Sequence, residues 1–436
     1  MTKKQSIQII TLGCSKNQVD SEHILAQLDG EYEIVPEEVT DRRVDWLLVN
    51  TCGFIGEAKE QSIAEIMSCV DRKNRGLVGK LIVFGCLSQR YMDQLPGLIP
   101  EVDGWYGARE TDPVVKAVGG TPKVGVKRRF DSEKHDTFAY LKISEGCDRR
   151  CSYCAIPFIR GAHKSVPMEE LVAETRDLAA HGVKELVLIA QDTTYYGLDL
   201  YKKRCLGELL RKLSEVDGIE WIRIHYSYPA DFPLDVLDEM AGNPKVCKYL
   251  DIPLQHVNDE VLSCMHRHTT GAWTRELIQK LRERVPGVVL RTTMIVGHPG
   301  EGRKEFNELV GFIKEARFER LGAFMYSEEE GTFGAQNLRD SVAPATKRRR
   351  LTELMTAQRE ISREYNESRI GTVEKVLIDD YSDGRFICRS QYESPEVDGE
   401  IIVKAFGDNP ASMQGQFINV RITGADDYDL TAEPVL

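Results

Sequence analysis

No stretch of this sequence approaches the roughly 20 consecutive apolar residues that a helix needs to cross a bilayer. The first residues, MTKKQSIQIITLG, contain no apolar signal core and no cleavage site, so the expected compartment is the cytoplasm, with no membrane partner. An excess of positive charge is also missing. The 57 Lys and Arg are outnumbered by 69 Asp and Glu, giving a formal net charge of −12. That argues against a generic nucleic-acid binder and suits a basic protein partner. His256, His266, His268 and His298 show no HExxH-type spacing, so they define no zinc site. The glycine-rich run IVGHPGE lacks the GK[ST] ending of a phosphate loop, which excludes nucleotide hydrolysis of that kind. Low hydrophobicity is not among the absences. At 42% hydrophobic and 29% charged residues, the chain can bury sizeable cores.

The pattern of apolar runs divides the sequence into three. Over residues 1–125 the strand-like runs SIQIITLG, WLLVNT and KLIVFG alternate with helical stretches at 18–28 and 57–70, as in an open α/β sheet. The segment KVGVKRRFDSEKHD reads as a linker. Over 133–370, six strand-like runs from FAYLKIS to RLGAFMY alternate with helices such as 167–181, 271–284 and 303–316. That is the pattern of a full or partial parallel βα barrel. A charged helix over 345–369 closes this part, and its KRRR run (Lys347 to Arg350) reads as a solvated face. Over 371–436, short β-rich pieces broken by Gly, Asp and Asn predict a small antiparallel barrel of about five strands.

Eleven cysteines in a reducing compartment point to metal or catalytic use rather than disulfides. Three stand in SEGCDRRCSYCAIPFIRG, where Cys147, Cys151 and Cys154 form C-x3-C-x2-C directly after a barrel strand. Thiolates so close can converge on one iron–sulfur cluster, and three ligands leave one iron of a 4Fe–4S cube open to a small molecule. The alternatives are a zinc site short of one ligand, or buried free cysteines. Cys14, Cys52 and Cys86, in TLGCSKN, VNTCGF and VFGCLSQ, each follow a predicted strand. The carboxyl ends of parallel strands line one crevice, so these three should meet there, with Gly13, Gly53 and Gly85 permitting close backbone approach. Ordinary burial is the competing account. Cys69, Cys205, Cys247, Cys264 and Cys388 have no ligand spacing and read as structural.

The central triad, with an aromatic before its last cysteine, resembles the radical S-adenosylmethionine (SAM) superfamily. Together with TLGCSKN and NTCGF it resembles the methylthiotransferases, over essentially the whole chain. The resemblance implies an N-terminal cluster domain, a radical SAM barrel and a C-terminal TRAM-like barrel. It implies two 4Fe–4S clusters, an auxiliary one on Cys14, Cys52 and Cys86, and two SAM molecules per turnover, one as methyl donor and one as radical source. It further implies a monomer that takes electrons from a donor such as a flavodoxin or ferredoxin. TLGCSKNQVDSE and YLDIPLQH look closer to the RimO type, which modifies the β-carbon of an aspartate in the small-subunit ribosomal protein S-twelve, than to the MiaB type, which modifies a tRNA adenosine. A third possibility is a non-catalytic iron–sulfur RNA-binding or assembly protein, which the complete C-x3-C-x2-C motif argues against. Charge bears on the choice: residues 371–436 hold thirteen acidic and five basic side chains, which should repel RNA outside the ribosome and attract a basic protein.

SAM contacts are expected from Tyr153, near the adenine, and from Gln191 and Asp192, at the end of ELVLIA, near the methionine amino group. A core tyrosine and a helix cap are the other readings. Gln255 in IPLQH and Arg291 in VLRTTMIVG lie at or inside barrel strands. Arg291 would pair with the SAM carboxylate or with a structural acid. Ile295, Gly297 and Glu301 match the superfamily's adenine-side pattern only loosely, because Thr293 stands where its first glycine would be.

Overall fold

The computed structural model describes residues 4–123, 125–126 and 136–435; most of the expected linker KVGVKRRFDSEKHD lies outside them. The N-terminal part is a five-stranded, all-parallel sheet. Its central strands, Ser6–Thr11, Val44–Thr51 and Val78–Gly85, are nearly continuous runs of β-branched and apolar residues. Such runs suit a sheet covered on both faces, and the two apolar clusters built on Leu47 and on Ile7 do cover them. Helices Ser15–Leu28 and Gly56–Asn74 provide the crossovers.

The middle part is a six-stranded parallel sheet in strict chain order, Phe138–Lys142, Glu185–Ile189, Trp221–Ile224, Val246–Asp251, Val289–Val296 and Arg320–Met325. Its first and last strands do not pair, so it is a partial barrel with helices packed outside, sharing the largest apolar cluster of the chain. The C-terminal part is a closed five-stranded barrel. One pair, Ile401–Lys404 with Leu430–Pro434, runs parallel, so it is antiparallel only in part.

The loop that follows the strand Arg385–Ser390 reaches into the inner face of the partial barrel. Tyr140, His225 and Tyr249 hydrogen-bond Glu396, Ser394 and Asp398, each at 2.7 Å. Arg223 donates to the Gln391 carbonyl at 2.8 Å and pairs with Glu185 at 2.6 Å. These residues alternate along their strands, which places them on one face of the sheet.

One charge expectation needs correcting. The helix Pro344–Ser368 does connect the barrels, but KRRR is not a solvated face. Lys347 and Arg350, three residues apart, are both buried: Lys347 donates to the Tyr326 carbonyl and pairs with Asp340, and Arg350 pairs with Glu301 at 2.6 Å. Only Arg348 and Arg349 face solvent. The C-terminal acids are likewise partly internal. Glu374 and Glu393 pair with Arg369, and Asp379 with Arg389.

Candidate active site

The three central strands of the N-terminal sheet end side by side; Cys52 and Cys86 directly follow two of them, and Cys14 stands just past Leu12 and Gly13 after the third. Gly13 makes the closest approach possible. Its φ is +96°, and a β-carbon there would stand 2.8 Å from Cβ of Cys52. Asn17, in the first turn of Ser15–Leu28, fastens the three loops together. Its Nδ2 donates to the carbonyls of Leu12 (2.8 Å) and Thr51 (3.0 Å), and its Oδ1 accepts from the Cys86 thiol at 3.8 Å.

In the partial barrel the strand Phe138–Lys142 leads into the second cysteine loop. Gly146, at φ +81°, lets that loop fold back so that the Cys147 N–H donates to the Gly161 carbonyl at 3.0 Å. All six cysteines line a single cavity of about 550 Å³, within the size range of small-molecule sites. Each set also converges electrostatically: charge on Cys14 or Cys52 is felt at Cys86, and charge on Cys151 or Cys147 at Cys154. Burial pushes the Cys86 thiol up to about 11, against the pull of the neighbouring Arg160, and the Cys147 thiol up to about 12. It also raises Cys52 and Cys154. Metal binding here would therefore release protons.

Among the described residues no three such side chains are placed to grip one metal ion. A four-iron cube spreads its ligands over several atoms instead of gathering them on one, so two sets of three thiols suit a cluster each. Buried polar atoms at the cavity point the same way. Gln191 Oε1, Arg149 Nη2 and Arg267 Nε have no hydrogen-bond partner among the described residues, as expected of groups awaiting a polar ligand.

Four cations line the cavity, Lys16, Arg149, Arg160 and Arg267, and no Asp or Glu does. Arg160 spans the two cysteine sets. It ends the short helix after Cys154, yet its Nε donates to the Cys86 sulfur at 3.4 Å and its Nη1 pairs with Asp20 of the N-terminal domain at 2.7 Å and with Glu145 at 3.1 Å. Burial opposes ionisation of Glu145, but Lys142 and Arg160 prevail and hold its carboxyl at about 2. Arg267 donates to the Cys151 sulfur at 3.7 Å and lies over the Tyr228 ring, which Arg149 also covers.

The other sequence candidates separate into two groups. Tyr153, Gln191 and Gln255 line the cavity. Gln191 donates to Glu145 at 2.7 Å, and Gln255 adopts φ +73°, which turns it out of the strand pattern. Asp192 does not line the cavity: its carboxylate caps the turn at Thr194 and pairs with Arg149 at 2.9 Å. Ile295 is half-buried in its strand, with its N–H donated to the Gln255 carbonyl. Arg291 lines a different cavity, of about 340 Å³, beside the C-terminal barrel, and pairs with Asp251 at 3.1 Å. Its expected role as a carboxylate partner for SAM does not fit that place. Lys16, Asn17, Arg149, Arg160 and Arg267 were not singled out from sequence. Only their nearness to cysteines in TLGCSKN and GCDRRC–FIRG could have marked the first four.

Comparison with known proteins matches three stretches of the chain. Residues 6–107 match the uncharacterized protein family UPF0004, residues 141–313 the radical SAM superfamily and residues 370–435 the TRAM domain. Among solved structures, the radical S-adenosylmethionine methyltransferase TsrM from Kitasatospora setae superposes with a TM-score of 0.56 at 14% identity, over 94% of this chain and 82% of that one, a likeness of fold. Among curated sequences, "Ribosomal protein uS12 methylthiotransferase RimO" of Phocaeicola vulgatus is 48% identical over 99% of both chains. Its namesake in Porphyromonas gingivalis is 46% identical over 99% of this chain and the whole of that one. An identity of that order along the full length leaves one assignment: the chain belongs to the RimO family of radical SAM methylthiotransferases.

Proposed function

We propose that this enzyme methylthiolates the β-carbon of an aspartate in ribosomal protein uS12, in the cytoplasm, with two 4Fe–4S clusters and two SAM per turnover. The observation that carries the reading is the shared cavity, where cysteines from two domains face one space walled by cations and aromatic rings. Cys147, Cys151 and Cys154 would hold one cluster and Cys14, Cys52 and Cys86 the other. When bound, the clusters and SAM supply electron transfer, radical formation and the sulfur and methyl to be delivered. The chain's own groups do the rest. Gln191 and Gln255 offer amide groups to the polar end of SAM, and Tyr153 offers a ring face. Arg160 and Asn17 hold the two cysteine sets at a fixed separation, a requirement if one site's product must reach the other. The apolar walls, with Phe54 and Phe324 among them, limit water at a site where a radical would be quenched. A low-potential donor such as a flavodoxin or ferredoxin would supply the electron.

Two measurements test this. Anaerobic reconstitution should give about eight iron and eight sulfide per chain. Cys147, Cys151 and Cys154 changed together to Ala should halve the iron and abolish SAM cleavage. Changing Cys14, Cys52 and Cys86 should halve the iron and stop sulfur insertion while SAM cleavage persists. Mass spectrometry of uS12 and of tRNA from a strain lacking the gene then separates the substrates. A mass increment lost from tRNA alone would favour the tRNA reaction.

A further inference from the structure

Lys16 is a mostly buried side chain whose ammonium opens on the cavity and, among the described residues, pairs with no anion. The residue is 7% exposed, and among the described residues it makes no salt bridge and no side-chain hydrogen bond. Its ammonium rests on the Tyr226 ring, 2.9 Å from the centroid. The acid one turn along the same helix, Asp20, is held elsewhere, by Lys142 and Arg160. The ammonium opens on the cavity with a ring face on one side and no anion beside it, and a ring face replaces only part of its hydration. Lys16 therefore stands ready for an anion that enters the cavity. Its position says which anion. Lys16 lies two residues after Cys14, on the N-terminal side of the cavity, and reaches across to Tyr226, just past the strand Trp221–Ile224 of the barrel. It thus faces the cavity that both cysteine sets line, the space the group to be modified would have to enter.

We propose that Lys16 receives the carboxylate of the substrate aspartate, so that it determines specificity for an acidic side chain over its neutral amide. The inference rests on the proposed aspartate reaction and adds the residue that selects for it. A carboxylate held by the ammonium keeps its β-carbon at a fixed distance from both cysteine sets. An asparagine would leave the cation unpaired, and a hydrogen bond to a charged group commonly separates such pairs by about tenfold to a hundredfold. Lys16 also explains why the cavity wall carries no Asp or Glu: an internal acid there would compete for the same cation.

The test uses the reconstituted holoenzyme, purified uS12 and a uS12 variant with the modified aspartate changed to asparagine. Affinity is read by fluorescence anisotropy and turnover by mass spectrometry, for wild type, Lys16→Met and Lys16→Arg, with iron content measured for each. Wild type should prefer the aspartate protein by tenfold or more. Lys16→Met should bring the preference close to one, and Lys16→Arg, which keeps the charge, should restore most of it. Lys16→Gln gives the same comparison if the Met variant holds less iron. A Met or Gln variant that still discriminates like wild type overturns the proposal. So does a variant whose affinity for SAM falls while its preference for aspartate stands, because the carboxylate met by Lys16 would then be that of SAM. If wild type binds and modifies neither protein, the aspartate reading itself fails, and the proposal falls with it.

Discussion

Arg160 offers the most direct test of how the two cysteine sets are held together. Its guanidinium is 2% exposed and joins the barrel to the N-terminal domain through Asp20, Asn17, the Ala108 carbonyl and the Cys86 sulfur. In Arg160→Met the stem is roughly replaced while these partners lose their donor. Breaking a buried pair costs about 3–5 kcal/mol when the remaining charge is left uncompensated. Here Lys142 still contacts Asp20 and Glu145, so the lower end, about 3 kcal/mol, is the expectation. Other ties between the domains remain, among them Lys142 to Asp20, His23 to Glu174, and Lys59 and Arg90, both 2.8 Å from Glu329. Loosening by that amount raises the undocked population by roughly a hundredfold. Amide hydrogen exchange on the apoprotein reads this locally. Protection in the helix Ser15–Leu28 should fall by about that factor, while the strand Val289–Val296 keeps its own. Equal loss in both elements would mean that Arg160 serves global stability. No loss in either would mean that the domains are held without it, and the positional role given to Arg160 would be wrong.

Gly13→Ala should cut iron content to about half, because a β-carbon there meets Cys52 on a left-handed backbone, and the loss should spare the barrel triad; full iron content would show that the loop can shift. Burial works against ionisation of Glu393, but Arg369 and Arg320 overcome it and hold its carboxyl at about 2, below the ordinary 4.5. A depressed pKa contributes stability above about 4.5 that is lost as pH falls toward about 2, a contribution of order 3 kcal/mol. Urea melts across that range should show a steeper loss in wild type than in Glu393→Gln, and parallel curves would refute it. Arg350→Met should destabilise by about 3 kcal/mol, read in the same melts, because Glu301 and the adjacent His256 are buried with no other cation beside them. A change below 1 kcal/mol would place water, not Arg350, as the effective partner.

What could be read in the sequence was whatever depends on local order. Strands announce themselves as apolar β-branched runs, and a cysteine directly after a strand lands at the sheet's carboxyl edge wherever the connections are parallel crossovers. That rule alone carries Cys14, Cys52 and Cys86 to one place across 72 residues of chain. The C-terminal strands were legible as strands, but the parallel pair Ile401–Lys404 with Leu430–Pro434 was not, because pairing direction depends on how the barrel closes and not on side-chain alternation. KRRR failed for a related reason. A charge run looks solvated until the helix meets two specific acceptors, and those, Tyr326 and Glu301, are set by distant strands and loops. Arg291 was ambiguous from the start, since an arginine in a barrel strand needs an anion and the sequence cannot say whether a ligand or Asp251 supplies it.

The acidity of residues 371–436 is partly spent inside the fold. Summed charge makes the small barrel an attractive face for a basic protein. In the fold, Glu374, Asp379, Glu393, Glu396 and Asp398 point at arginines and tyrosines of this same chain. Asp427 lies 3.7 Å from Arg359, and Asp426 and Asp429 accept backbone N–H groups. Reversing Asp426, Asp427 and Asp429 would therefore disturb the turn they build as well as any docking. The net charge of −12 still draws a basic partner at long range, which affects the rate of encounter more than the choice of atom. Choice is made at short range, where a charged group in a cavity has no partner of its own. Among the described residues Lys16, in the cysteine-lined cavity, is a cation without an anion beside it. Under the proposed reaction, attraction of a basic protein by the acidic surface and selection of an acidic side chain by Lys16 would not conflict, because they act at different distances.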